Sequence, residues 1–381
     1  MTRRYLPGAT IGLMGSGQLG RMFAIAARRM GYRVYVYSPE KDTPAGQFAD
    51  REVTGAYEDE AAVRSFARTL DLLTFEFENI PRQTIEWCAR ECEVRPDGAI
   101  LHTAQNRLRE KDFLSGAGIP VAPYRAVRSA SDLANAFAEI GMPAILKSAA
   151  FGYDGKGQQF LKDATAPDQI WSEKPGDELI LERAIDFEKE VSVIVARSLD
   201  GSMKTFPLCE NMHRDHILDV TVVPARVSVT VEKAAADLAR IIAEKMNLVG
   251  LLAVEMFVQR DGQLLVNELA PRPHNSGHWT IEGCVTSQFE QHVRAVCGLS
   301  LGSTDLIRPA AMANLLGDVW QNGEPNWAAA LGVSGVHLHL YGKHHPRSRR
   351  KMGHLTALAE SAEEAIEAVS SAREALQNRS S

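Results

Sequence analysis

Glu255 and Glu268 sit in otherwise apolar surroundings in "VGLLAVEMFVQRDGQLLVNELAP". The stretch reads as a hairpin, two apolar runs around an Asp261-Gly262 turn. With those two residues as the whole turn, Arg260 faces Gln263. The same register sets Glu255 directly opposite Glu268 on one sheet face. Like charges so placed destabilise a sheet, and burial raises the cost. A shared Mg2+ relieves the repulsion, because a hard divalent ion prefers carboxylate oxygen and keeps further positions for phosphate. The competing reading is a pair of exposed glutamates on a wet face, and a slip of one residue separates them. The next segment, "NELAPRPHNSGHWT", adds Arg272, His274 and His278. The histidines invite zinc, but the step from His274 to His278 crosses Gly277 in a non-helical stretch and gives no two-histidine helix face.

A second group of residues suits phosphate. "PAILKSAAFGYDGKGQQF" puts Lys147 on a strand, followed by Gly152, Gly155 and Gly157. Such a loop lays backbone N–H groups over phosphate oxygens, with Lys147 as a point charge. The pattern is not a P-loop, and a plain glycine-rich hairpin turn is the alternative. Lys111, in "REKDF", offers a second lysine from the preceding helix. In "LILERAIDFEKEVSV", Glu182 ends one strand and Glu190 begins the next, an arrangement suited to an adenosine pocket. Gly15-x-Gly17-x-x-Gly20 matches the dinucleotide fingerprint in a strand–turn–helix setting. That use also wants an acid at the end of the second strand, and here the strand ends in Ser38-Pro39, with Glu40 beyond. The glycines then serve close packing, or they cradle a smaller phosphate or substrate.

The elements that must position these groups are legible as periodicity. Residues 11–14 form a strand, and residues 18–29 form a helix with Leu19, Met22, Phe23 and Ala26 on one face. "YRVYVYS" is a strand, and "DLLTFEFENIP" is another that stops at Pro81, giving a parallel α/β unit to about residue 100. "TAQNRLREKDFLSGAGIPVAPY" reads as one helix ended by glycines and prolines, "VEKAAADLARIIAEKMNL" as an amphipathic helix, and "SAEEAIEAVSSAREAL" as a last one. A length of 381 residues favours two or three domains, and 45% hydrophobic with 24% charged residues predicts packed cores. A net charge of -6 argues against bulk nucleic-acid binding. Five scattered cysteines without Cys-x-x-Cys suit a reducing compartment. No apolar stretch approaches the ~20 residues of a membrane span, and "MTRRYLPGAT" has no apolar signal core, so a cytoplasmic enzyme is expected.

Together these residues carry a likeness. "GSGQLGRM", "TFEFENIP", "FGYDGKGQ", "LAVEMF", "NELAPRPHNSGHWT" and "RRKMGHL" resemble the N5-carboxyaminoimidazole ribonucleotide synthetase family of purine biosynthesis, ATP-grasp enzymes. The matching stretches cover nearly the whole chain. "NELAPRPHNSGHWT" followed by "SQFEQHVRAV" is highly specific, whereas "YDGKGQ" is shared with related carboxylases. The resemblance implies an α/β and α+β chain in three parts. A Rossmann-like domain of biotin carboxylase N-terminal type occupies residues 1–103. An ATP-grasp domain with a glycine-rich lid occupies 104–304, and a small C-terminal domain 305–381. It implies a ligase that uses ATP and Mg2+ to join bicarbonate to 5-aminoimidazole ribonucleotide, through carboxyphosphate, in a cytoplasmic homodimer without nucleic-acid or membrane partners.

The resemblance also implies roles. Lys111, Lys147, Gly155, Gly157 and Asn267 contact ATP, while Glu182, Ala184, Phe187 and Glu190 hold its adenosine. Glu255 and Glu268 bind Mg2+, in agreement with the hairpin argument. Arg272 and His274 orient bicarbonate, with His274 a proton shuttle, an orienting group or a purely structural histidine. Gly17, Gln18, Leu19, Glu76, Glu78, Tyr153, Asp154 and Lys156 approach the ribonucleotide. Lys343, Arg350 and Lys351, in or beside the basic run "KHHPRSRRK", complete the site and suit a ribose 5'-phosphate. Two departures stand out. Ser348-Arg349 replaces a frequent Pro-Gly pair, and His216 in "NMHRDHIL" replaces a frequent glycine. Three rival readings are weaker. A nicotinamide oxidoreductase lacks its acid at Ser38, "PHNSGHWT" argues against the formate-dependent glycinamide ribonucleotide transformylase or another ATP-grasp carboxylase, and an ATP sensor needs fewer charged groups.

Overall fold

A computed structural model of the chain describes residues 3–150, 157–164, 166–172 and 178–377. The first unit runs β1 (Thr10–Met14), α1 (Gln18–Arg29), β2 (Arg33–Ser38), β3 (Arg51–Thr54), α2 (Glu60–Ala67), β4 (Leu72–Phe75), α3 (Arg82–Ala89) and β5 (Glu93–Val94). Its strands pair in parallel in the order β3-β2-β1-β4-β5. Alternate side chains feed two cores. Ile11, Leu13, Val34 and Val36 meet Leu19, Met22 and Phe23 of α1. Met14, Leu73 and Phe75 meet Val63, Phe66, Ile85 and Trp87 on the other face. Chain order reverses between β1 and β4, and a ligand crevice belongs at the carboxyl ends of such strands. The Gly15 turn and Glu76 both lie there. The strand expected to reach Pro81 stops at Phe75, and Glu76–Ile80 turns across the sheet end.

The helix expected from Thr103 starts later, as α5 (Arg107–Gly116), and its first two residues instead end a separate helix, α4 (Gly98–Ala104). Asn106 divides them. It is extended at φ -139, and its side chain accepts the N–H groups of Leu108 and Arg109, so capping the new helix outweighs continuing the old one. Then come β6 (Tyr124–Val127), α6 (Ala130–Ile140), β7 (Ala144–Ser148), β8 (Gln158–Leu161), α7 (Pro167–Ser172) and β9 (Leu179–Arg183). These strands form an antiparallel sheet in the order β6-β9-β7-β8, with α6 packed on its inner residues. The glycine-rich loop joins β7 to β8.

The largest sheet uses β10 (Phe187–Arg197), β11 (Met203–Thr205), β12 (Cys209–Arg214), β13 (Ile217–Val223), β14 (Gly250–Gln259), β15 (Leu264–Ala270), β16 (Ala310–Leu316), β17 (Val336–Leu340) and β18 (Lys351–Leu358). Its path is β15-β14-β10-β12-β13-β16-β18-β17, with β11 on β10. The strands after residue 305 extend this sheet through the β13–β16 pair. Helices α8 (Val229–Lys245), α9 (Thr280–Gly283), α10 (Gln288–Val296), α11 (Trp327–Leu331) and α12 (Ala362–Ala375) complete the chain. Val231, Ala235, Ala239 and Ile242 of α8 repeat at helical spacing and bury against Val193, Val254, Met256 and Val266. Each such apolar side chain contributes roughly 1.5–3 kcal/mol when fully buried. That layer fixes which side of β14 and β15 faces the core, and so which side is left for chemistry.

Candidate active site

Glu255 and Glu268 are direct partners in the β14–β15 ladder. The path to that pairing differs from the expected two-residue turn. Gln259, not Arg260, pairs with Gln263, across a three-residue loop in which Gly262 takes φ +82. Met256 therefore pairs with Val266, one residue out of the expected register. A bulge between these pairs then restores the register, so Glu255 and Glu268 meet. Val266 and Leu269 both enter the α8 core, three residues apart instead of two. In a regular strand the residue two beyond Val266 would enter that core, and that residue is Glu268. The extra residue, Asn267, turns the carboxylate to the other face.

Buried side chains of α5 satisfy the backbone that the bulge frees. Lys111 Nζ donates to the carbonyls of Val266 and Asn267 at 3.2 and 3.0 Å. Glu110 Oε1 accepts the N–H of Leu269 at 2.6 Å. Burial and the nearby Glu268 push the Glu110 carboxyl up to about 8. Burial likewise lowers the Lys111 ammonium, against the pull of Glu182 and Glu110. From β7 and β9, Lys147 and Glu182 form an ion pair at 2.6 Å. Burial opposes the charge on Glu182, but Lys147 and Lys111 hold its carboxyl below the usual range. The N–H of Ala184 is committed to the Pro143 carbonyl, so its own carbonyl is the group it has to offer. Phe187 stacks on Phe257 with ring centroids 4.6 Å apart, forming an apolar platform at the cleft edge. Glu190 pairs with His213, and that contact raises the imidazole pKa despite burial. Gly157 closes the loop at φ +75. Tyr153, Asp154, Gly155 and Lys156 lie outside the described residues.

The turn after β15 carries Arg272 and His274. Arg272 Nε lies 2.7 Å from Glu78 Oε1. Burial works against the guanidinium charge, and Glu78, Glu76 and Glu268 more than restore it. Glu76 enters from the first unit and fills the glycine turn. Its carboxylate accepts the N–H groups of Gly17 and Gly20 at 2.5 and 2.9 Å. A Cβ on Gly17 would lie 2.8 Å from that carboxylate. The protein's own acid thus occupies the helix N-terminus where a dinucleotide enzyme holds pyrophosphate. Burial raises the Glu76 carboxyl; those two N–H groups, Arg272 and Lys343 offset it in part. Gln18 opens α1, and Leu19 points into the core, so only its backbone faces the crevice. Lys343 Nζ donates to the Lys351 carbonyl at 2.7 Å. Lys351 is near enough to favour the charged form of Glu255. Arg350 sits in the adjoining loop, where its side chain donates to the His345 carbonyl.

His274 is fixed from several sides. Gln288, fully buried, accepts the His274 N–H at 2.8 Å and donates to its carbonyl at 2.7 Å. Asn275 and Asn314 exchange two hydrogen bonds, tying the turn to β16. His274 Nε2 lies 3.5 Å from Glu255 Oε1. Burial and Arg272 drop the imidazole well below its usual value, so it is neutral at pH 7. Burial in the cleft and the opposing Glu268 push Glu255 up to about 7. Its side chain keeps 22% of its surface open, so the cleft walls desolvate it without sealing it. Two facing carboxylates, one held near neutrality by burial and by the other, are a donor set that a hard divalent cation relieves. The residues therefore fit Mg2+, with two protein ligands and the remaining positions left to water and phosphate.

The chain's family follows from comparison with known proteins. A ribonucleotide synthetase preATP-grasp domain matches residues 8–105, an ATP-grasp domain 112–289, and a phosphoribosylaminoimidazole carboxylase C-terminal domain 310–368. The chain is 47% identical over 363 residues to N5-carboxyaminoimidazole ribonucleotide synthase of Bacillus subtilis (strain 168), covering 95% of each chain. It belongs to the N5-carboxyaminoimidazole ribonucleotide synthase family. A Staphylococcus aureus N5-carboxyaminoimidazole synthetase solved with ADP has a TM-score of 0.91 at 36% identity, covering 98% of this chain and 99% of that one. An Aspergillus clavatus N5-carboxyaminoimidazole synthase solved with ADP and 5-aminoimidazole ribonucleotide has a TM-score of 0.88 at 31% identity, covering 97% and 98%. The fold is accordingly ATP-grasp with a preATP-grasp unit before it and a small C-terminal unit after it.

Glu110, Gln288 and Phe257 escaped the sequence reading, although each touches a residue that it named. Glu110 looked like one more charge on a polar helix, and only the bulge gives it a task. Two predictions follow from these contacts. Glu110→Ala, which leaves the Leu269 N–H without its acceptor, should destabilise the fold by about 1–3 kcal/mol and raise the KM for ATP, read by urea unfolding and ADP-release kinetics. Glu255 is an acid whose folded pKa lies above its unfolded one. Its protonation therefore stabilises the fold fully below about 4.5, and that gain is lost as pH rises through about 7. Without divalent cations, Glu255→Gln should be more stable than the wild type at pH 8 by about 1–3 kcal/mol and so melt higher, and the gap should close toward pH 5. Equal melting temperatures at both pH values would contradict the buried-charge assignment.

Proposed function

We propose that this chain converts 5-aminoimidazole ribonucleotide, bicarbonate and ATP to N5-carboxyaminoimidazole ribonucleotide, ADP and phosphate. The observation that carries this reading is the facing pair Glu255 and Glu268 beside Lys111, Arg272 and His274, in a chain of this family. The parts 1–103, 104–304 and 305–381 contribute Glu76, the nucleotide cleft and the basic segment in turn, and the protein acts as a cytoplasmic homodimer.

Bicarbonate is anionic and a poor electrophile, so ATP must activate it. The bicarbonate oxygen attacks the terminal phosphorus, the bond to the bridging oxygen breaks, and carboxyphosphate and ADP result. The protein's task in such a transfer is positioning and charge neutralisation. Lys147 and Lys111 place fixed positive charge along the phosphates, and Glu182 with Glu190 holds the adenosine against the Phe187–Phe257 platform. Mg2+ held by Glu255 and Glu268 would supply neutralisation of the phosphate oxygens. Arg272, kept charged by Glu76 and Glu78, holds the bicarbonate oxygens, and neutral His274 lies beside it. The ribonucleotide amine then attacks the carboxyl carbon, an N–C bond forms, and phosphate leaves as the amine loses a proton. Lys343, Arg350 and Lys351 grip the 5'-phosphate, and Glu76 with Gly17 borders the aminoimidazole ring.

ADP release measured with each of the three substrates omitted in turn is the direct test, and full dependence on all three is expected. Glu268→Ala should lower Mg2+-dependent ADP release at least about a hundredfold while leaving the melting curve cooperative. Wild-type turnover in that variant would remove the metal assignment. Arg350→Ala should raise the KM for the ribonucleotide about 10- to 100-fold, the worth of a charge-assisted phosphate contact, with kcat little changed. An unaltered KM would reject the phosphate role.

A further inference from the structure

A line of polar side chains runs behind His274 that none of the roles above uses. Ser192 of β10, Asn211 of β12 and Thr221 of β13 lie on neighbouring strands, and Ser276 lies in the turn after His274. All four are buried, between 0 and 5% exposed. Polar atoms so enclosed need partners, and here they serve one another. Thr221 Oγ1 meets Asn211 Oδ1 at 3.0 Å, and Asn211 Nδ2 donates to Ser192 Oγ at 2.9 Å. Ser192 Oγ donates to Ser276 Oγ at 2.8 Å, and Ser276 Oγ lies 2.8 Å from His274 Nδ1. The Ser276 main-chain N–H also points at His274 Nδ1, at 3.3 Å.

The direction of this line has a chemical consequence. A main-chain N–H can only donate, so His274 Nδ1 must present its lone pair. The Ser276 hydroxyl, accepting from Ser192, has its own hydrogen left for the same nitrogen. A neutral imidazole with Nδ1 as acceptor carries its proton on Nε2. At the other end of the ring, Nε2 lies 3.5 Å from Glu255 Oε1, which accepts an N–H when that carboxylate is charged. The opposite tautomer would set N–H against N–H between Nδ1 and the Ser276 main chain.

We propose that Ser276, Ser192 and Asn211 are positioning residues that lock His274 in the Nε2–H tautomer, so that His274 meets the bicarbonate or carboxyphosphate oxygen as a hydrogen-bond donor and does not take the proton from the attacking amine. The identity of the acceptor oxygen rests on the function proposed above; the tautomer does not. In the donor role the ring nitrogen facing the cleft already carries hydrogen and has no lone pair for the amine proton. Aspects of the step that need a base fall to another group.

Two measurements test this separately. The first is long-range 1H–15N spectroscopy on the full chain labelled with 15N-histidine, without substrates or metal, with His274 assigned by the signals that vanish in His274→Gln. The expected pattern is an unprotonated Nδ1 and a protonated Nε2, with the Nδ1–H form gaining population in Ser276→Ala. A protonated Nδ1 in the wild type, or no change in Ser276→Ala, would overturn the lock. The second is ADP release coupled to ribonucleotide carboxylation in His274→Gln and His274→Ala. Gln keeps an N–H at the Nε2 position, so it should retain at least about a tenth of wild-type turnover. Ala should lose about a hundredfold or more, as when one donor to a reacting oxygen is removed. Equal losses in both variants would assign His274 to proton transfer. If wild-type ADP release proved independent of bicarbonate and ribonucleotide, the functional reading would fail while the spectroscopic result stood.

Discussion

Two like charges held face to face on neighbouring strands are the constraint to which the rest of the site conforms. Left alone, Glu255 and Glu268 would repel, and a one-residue change of register would part them. The protein instead spends a bulge to keep them opposed. It plugs the freed backbone with Lys111 and Glu110, two ionisable groups that are almost never fully buried without partners. The rise of Glu255 and Glu110 toward neutrality is the electrostatic trace of this arrangement. A fold under no functional demand would place apolar residues at these positions and gain stability.

The same logic governs the anion site at the start of α1. Three glycines and a helix N-terminus usually invite a phosphate, yet Glu76 crosses from the end of β4 and takes both N–H donors. This explains why the missing acid at Ser38 is no defect. The turn is built to hold a carboxylate in place beside Arg272 and Lys343, so that negative charge from the first unit faces positive charge from the other two. The site is thereby a junction, and the contacts of Gln47 with Gly342 and of His344 with Asp42 hold the first unit against the basic segment.

Local periodicity made most elements legible: β1, α1, β2, α8 and α12 fall where the apolar spacing put them. The facing glutamates were also found, but by a route that the structure corrects. The turn is one residue longer than Asp261-Gly262, and the Asn267 bulge cancels that error. Neither feature has a sequence signature strong enough to read, since both depend on which residues α8 and α5 can accept. Asn106 and the early end of β4 were missed for related reasons. A side-chain cap and a carboxylate reaching another element are tertiary bonds that outweigh local propensity. Ser192 and Asn211 drew no reading from the sequence. Their task appears only once three strands and the His274 turn are stacked together.

The two segments that the sequence reading singled out, around His216 and around Ser348-Arg349, are linked in the fold. His216 takes φ +65 and Arg349 takes φ +66, both in the left-handed region that favours glycine. A non-glycine residue in that region costs roughly 1–2 kcal/mol. Contacts between the two offset part of that cost. Arg349 Nη2 donates to the carbonyl of Asp215, the neighbour of His216, at 2.9 Å. The Arg349 N–H and the Ser348 hydroxyl both bond to Asp318, holding its carboxyl below the usual range. His216 in turn reaches Gln158, the first residue of β8. These contacts tie the turn between β12 and β13 to β8 on one side and to the basic segment on the other.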